Sequence, residues 1–87
     1  MFGGLPGLDV EAENGEWQYI GDSSCVDSIR YKGGNLVVKF QDGLIYTYFE
    51  VHPFVYGNLI RSISKGYFFN KNIRNNYSYQ EGDITGD

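Results

Sequence analysis

Between residues 25 and 51 the chain runs in short apolar and β-branched stretches, 25–31, 36–41 and 44–51, joined by connections that fit hairpins. The first connection, Lys32-Gly33-Gly34-Asn35, supplies two residues that take positive φ without steric cost, and the second, Gln41-Asp42-Gly43, is a tight Asp-Gly turn. In the middle stretch Leu36, Val38 and Phe40 point one way and Val37 and Lys39 the other, which marks one face as a core face. The third stretch is apolar on both sides, with Leu44, Tyr46 and Tyr48 on one and Ile45, Thr47, Phe49 and Val51 on the other, so both of its faces should be covered. Helices would cover one. The remainder falls to a short strand over 17–20, where Trp17 and Tyr19 alternate with Gln18 and Ile20, or to another subunit. A homo-oligomer, most simply a dimer, is therefore expected.

After residue 52 the period changes. Pro53 suits the first turn of a helix, Val55, Tyr56, Leu59, Ile60 and Ile63 form a stripe at spacings of three and four, and Gly66 follows Lys65 as a C′ residue; a helix over 53–65 is predicted. Phe69, Ile73 and Tyr77 recur every fourth residue and predict a second, shorter helix over 67–75, although Asn70, Asn72, Asn75 and Asn76 are weak helix formers. The fold class is α+β: a three-stranded antiparallel β-meander followed by two short helices.

Composition sets the bounds. Eighty-seven residues allow one small core, 12 glycines argue against an all-helical bundle, and 17% aromatic with 41% hydrophobic residues argue against a disordered chain. The net charge of −4 is unevenly placed. Seven acids lie before residue 22 or after residue 79, whereas the stretch between holds all seven bases against four acids, a net +3. This divides the chain into an acidic N-terminal arm (1–21), a mildly basic domain (22–79) and an acidic C-terminal tail (80–87). Residues 1–14 read as extended or mobile and the polar tail as loose unless a partner orders it. The arms serve solubility in the plainer reading and compete with an anionic ligand in the other.

Several chemistries drop out. One cysteine, Cys25, forms no intramolecular disulfide, and with His52 it falls short of the four ligands of a structural zinc site, so no metal and no cofactor is expected. Without paired carboxylates, a nucleophile motif or a phosphate-cradling loop, catalysis is not expected either. His52, ahead of a proline, reads as a helix cap or a packing group. The longest uncharged run, 51–60, is interrupted by Pro53 and is too short to span a bilayer, which points to a cytoplasmic protein with no membrane partner.

The stretch 22–79 resembles the KTSC domain, a small domain found at the C-terminus of some lysyl-tRNA synthetases and as a stand-alone protein in bacteria and phages. The resemblance rests on Ser23-Ser24 before a strand with Ile29 and Tyr31, on Leu36-x-Val38-x-Phe40, and on Gly43-x-x-Tyr46-x-Tyr48. It continues through Val51 and Tyr56, Ser64-x-Gly66-Tyr67-Phe68, and Asn70-x-x-Ile73 with Tyr77. It implies an α+β domain for which RNA binding has been suggested, and it brings no catalytic residue. His52-Pro53 stands where the family often has proline directly after the valine, and the acidic arms lie outside the pattern.

The binding candidates are accordingly basic and aromatic. Arg61 and Lys65 would sit one turn apart on the first helix, and Lys71 and Arg74 would share the outer face of the second, so the four could converge on a phosphate with Tyr67 and Phe68 between them as a stacking surface. Tyr46 and Tyr48 could stack bases, or serve the core beside Leu44. The expected function is a non-catalytic binding module for a nucleotide or short RNA, one that would sequester a nucleotide signal in the host cytoplasm if phage-encoded. The other reading is a structural or adaptor subunit acting through protein-protein contacts.

Overall fold

The computed structural model describes residues 16–20 and 25–85. The arm expected over 1–14, the Ser23-Ser24 pair and Asp87 lie outside the described residues. Among the described residues five antiparallel strands follow one another in chain order: β1 (Gln18–Tyr19), β2 (Val26–Lys32), β3 (Asn35–Phe40), β4 (Ile45–Tyr48) and β5 (Tyr79–Glu81). Two helices, α1 (Pro53–Arg61) and α2 (Lys65–Asn72), lie between β4 and β5 in sequence. The α+β class stands, and the meander of three strands is the centre of a wider sheet.

The hairpin chemistry acts as the turn residues require. Gly33 and Gly34 take φ of 59° and 86° between β2 and β3, and Gly43 takes 96° before β4. Ile29 pairs with Val38 and Tyr31 with Leu36, and Val38 and Leu36 pair in turn with Tyr46 and Tyr48. Because side chains alternate, these residues share one face. Against it pack Tyr56 and Leu59 of α1, Phe69 of α2 and Ile73 just beyond it, all buried. Tyr31 and Tyr56 stack with centroids 4.3 Å apart and planes 6° from parallel, and the Tyr31 hydroxyl donates to the Val51 carbonyl. Gln18 of β1 donates from Nε2 to the Tyr56 hydroxyl at 3.0 Å, which ties the edge strand to the helix.

Several boundaries differ from the predicted ones, and the two largest shortenings, of β4 and of α1, have local reasons. β4 stops at Tyr48 rather than reaching residue 51 because Glu50 adopts φ 55°, a left-handed conformation that breaks the ladder. The freed amides find other partners: Phe49 donates to the Ser78 carbonyl at 2.9 Å, Glu50 to Asn35 Oδ1 at 3.2 Å and Val51 to the Gly34 carbonyl at 2.8 Å. α1 ends at Arg61 rather than Lys65, since Ser62 is extended and its hydroxyl donates to the Ser64 carbonyl at 3.0 Å, offering the backbone an alternative to another helical turn. Ile63 thus leaves the apolar stripe and is 99% exposed. Gly66, expected beyond a helix end, is buried inside α2, which begins at Lys65 and ends at Asn72.

The second face of the sheet carries Arg30, Val37 and Thr47, which lie side by side across β2, β3 and β4 and are all buried. The cover comes from the chain's own ends. Gln80 and Glu81, expected to open a loose tail, belong to β5, and the segment after them crosses this face. Thr47 Oγ1 donates to the Gly82 carbonyl at 2.7 Å and accepts from the Ile84 amide at 3.2 Å. Arg30 Nη1 donates to Asp83 Oδ2 at 3.1 Å, and the Trp17 ring lies 5.6 Å from the Arg30 guanidinium carbon. Of the two covers expected, the Trp17 segment or another subunit, the Trp17 segment contributes at Arg30, and the segment after β5 adds a third that the pattern did not announce.

Candidate ligand-binding cleft

The core face does not end at the helices. Beyond α2 it continues as four aromatic rings, Phe40, Tyr46, Tyr48 and Tyr79, which line a cleft of about 530 Å³. Register explains their meeting: Phe40 follows Val38 on the same face, Tyr46 and Tyr48 are two apart on β4, and β5 sets Tyr79 directly opposite Tyr48. The rings form a connected cluster, with Phe40 edge-on to Tyr46 at 5.8 Å and Tyr79 tilted against Tyr46 at 5.4 Å and Tyr48 at 5.5 Å. Phe69 anchors the cluster from below through edge contacts to Phe40 at 5.7 Å and Tyr48 at 5.3 Å. Tyr48 is buried, whereas Tyr79 is 56% exposed and presents its ring to solvent.

Polar groups stand around this apolar surface. The β3–β4 turn contributes Gln41, Asp42 and Leu44. Asp42 Oδ1 accepts from the Leu44 amide at 3.0 Å, an Asx turn that fixes the carboxylate, and Gln41 Nε2 donates to the Val26 carbonyl at 3.2 Å. On the helical side Cys25, Arg74 and Asn75 complete the lining. Arg74 lies just past α2, where its backbone amide still donates to the Phe69 carbonyl at 2.9 Å. Its guanidinium carbon is 5.7 Å from the Phe40 ring centroid, and Nη1 donates to Asn70 Oδ1 at 3.0 Å. Asn70 in turn points Nδ2 at Cys25 Sγ, 3.6 Å away. Burial raises the Tyr48 phenol above its ordinary value, and the Arg74 charge offsets this only in part. At neutral pH the hydroxyl is protonated and can donate.

Of the residues predicted to bind, Arg74, Tyr46 and Tyr48 come together here. Arg61, Lys65, Tyr67, Phe68 and Lys71 do not line the cleft. Arg61 closes α1 and Lys65 opens α2, so the two are not neighbours along one helix. Arg61 Nη2 donates to Asn58 Oδ1 at 3.0 Å, Lys65 Nζ donates to the Ser62 carbonyl at 3.0 Å, and Lys71 Nζ sits 6.0 Å from the Tyr67 ring. Phe68 is half-buried against the core. Sequence reasoning missed Asp42, Asn75 and Tyr79. In the sequence Asp42 signals only a turn, and the three-residue β5 that carries Tyr79 has no periodicity to read. Phe40 had a signal, since the alternation that set it beside Val38 also sets it beside Tyr46.

His52 is the N-cap of α1: its Nδ1 accepts from the Phe54 amide at 3.0 Å. Among the described residues no group of three or more His, Cys, Asp or Glu side chains could hold a metal ion, and no helix is long and apolar enough to cross a membrane.

The profile of the KTSC domain family matches residues 22–77, and the chain belongs to that family. Its fold is similar to the crystal structure of a KTSC domain protein from Yersinia pestis, with a TM-score of 0.69 at 27% identity over 78% of this chain and 97% of that one. The chain matches no curated protein.

Proposed function

We propose that the chain is a non-catalytic binding module for a nucleotide or short RNA, and that the aromatic cleft is its site. The observation that carries this reading is the meeting of the Arg74 guanidinium with the rings of Phe40, Tyr46, Tyr48 and Tyr79 in one concavity. A base stacks on an exposed aromatic face with a contribution of about 1–3 kcal/mol. A guanidinium offers two parallel N–H groups to phosphate oxygens. The volume of about 530 Å³ falls within the roughly 300–1,000 Å³ of sites that enclose small ligands.

Calorimetric titration with mono-, di- and cyclic nucleotides and short RNAs tests the reading. Binding by at least one member is expected, weakened roughly 10- to 100-fold by Arg74→Ala, as the loss of a hydrogen bond to a charged group implies, and little changed by Arg61→Ala. The adaptor reading is favoured by a separate observation, the exposure of Phe54, Ile63 and Tyr67 on the helical side. Absence of heat with every member of the panel would leave that reading standing.

A further inference from the structure

Resting on the nucleotide reading, we infer that the cleft takes a single nucleoside monophosphate in preference to a polyphosphate or an RNA chain. The charge of its lining sets this limit. Among the described residues Arg74 is the one cation that lines the cleft, and Asp42 brings a carboxylate to the same space, so this described lining is formally neutral. Every other base predicted to serve a phosphate, Arg61, Lys65 and Lys71, stands outside it.

The geometry of Arg74 matches one phosphate. Its Nη1 donates to Asn70 and its guanidinium carbon lies 5.7 Å from the Phe40 ring centroid, which leaves the remaining guanidinium donors to grip one phosphate group through two of its oxygens. A second or third phosphate would find no further cation among the described lining residues and would meet the Asp42 carboxylate, whose Oδ1 is already fixed by the Leu44 amide. That carboxylate accepts from amino and imino groups, so it suits a base edge and opposes an added phosphate. Tyr79, half-exposed and flanked by Tyr46 and Tyr48, supplies the stacking face, and the Tyr48 hydroxyl, desolvated and protonated, supplies a neutral donor. An RNA chain gains affinity by accumulating phosphate contacts, which one guanidinium cannot provide.

The test compares guanosine, GMP, GTP, AMP, ATP and a ten-nucleotide RNA by calorimetry at two salt concentrations, on the full chain and on Asp42→Asn, which retains the acceptor of the Asx turn. Expected are a monophosphate that binds at least tenfold tighter than its nucleoside, triphosphates and RNA that bind no tighter than the monophosphate, and a salt dependence equivalent to about one phosphate contact. Asp42→Asn should raise triphosphate affinity several-fold relative to monophosphate. RNA or triphosphate binding tenfold tighter than the monophosphate, with Arg74→Ala still weakening it, would overturn the inference and leave the nucleotide reading intact. No binding by any of the six would overturn both.

Discussion

Arg30 and Asp83, 53 positions apart, form an ion pair of 3.1 Å on the face of the sheet opposite the cleft. Arg30 is only 7% exposed, and its Nε has no hydrogen-bond partner among the described residues. Asp83 therefore compensates a nearly sealed charge. Asp83→Ala should lower stability by about 1.5–3 kcal/mol, the range for a hydrogen bond to a charged group. It stays below the figure for a fully buried pair because Asp83 keeps 21% of its side chain exposed. Urea melts of the two proteins measure the difference, and equal midpoints would mean that the C-terminal segment does not hold this face in solution.

The same pair makes stability depend on pH. Burial alone would raise the Asp83 carboxyl, but two bonds from Thr85 and the charges of Arg30 and Lys32 outweigh it and hold the group below its ordinary value. A carboxyl whose value is lower folded than unfolded contributes stability that is fully present above the unfolded value of about 3.9 and is lost as pH falls through the folded one. Thermal melts of the wild type and Asp83→Asn should thus differ by a constant amount above about pH 5 and converge as the pH approaches 3. A gap that widens on acidification would reverse the assigned sign.

These two effects come from the part of the fold that was hardest to read. The hairpins from 25 to 48 were legible because each carries its own instruction: alternating Leu36, Val38 and Phe40, and glycines where positive φ is needed. The apolar faces of both helices were legible in Tyr56 and Leu59 and in Phe69 and Ile73, all buried as their spacing requires. Gln80 to Thr85 had no such signal. Apart from Ile84 it is polar, its strand is three residues long with none of them buried, and its attachment depends on Arg30 and Thr47 far away in sequence. The candidate site was half legible for a related reason: Tyr46, Tyr48 and Arg74 follow from local periodicity, whereas Asp42 and Tyr79 reach the cleft only through tertiary placement.

In the core, Tyr31→Phe keeps the stack on Tyr56 but leaves the Val51 carbonyl without its donor. The expected loss is about 1–3 kcal/mol, the cost of stranding a buried acceptor. Tyr56→Ala removes a ring buried to 2% exposure and should cost about 3–5 kcal/mol. Chemical denaturation of both variants gives the order directly, and a smaller loss for the Tyr56 variant would contradict the packing described.

His52→Ala removes the acceptor for the Phe54 amide at the start of α1. A loss of about 0.5–2 kcal/mol follows from the usual worth of an N-cap. His52→Asn, which restores a capping oxygen, should recover most of it. Recovery distinguishes capping from packing, because asparagine cannot reproduce the edge contact of the imidazole with Phe54, 6.4 Å between centroids.

The claim that the aromatic cleft is the binding site is tested most directly by following backbone amide resonances while GMP is titrated into the full chain. The shifts should concentrate at Cys25, Phe40, Gln41, Asp42, Leu44, Tyr46, Tyr48, Arg74, Asn75 and Tyr79, which line one cleft from four separate stretches of sequence, and Arg74→Ala should abolish them at the same nucleotide concentration. Shifts confined to Arg61, Lys65, Tyr67 and Lys71, or no shifts at millimolar nucleotide, would contradict it.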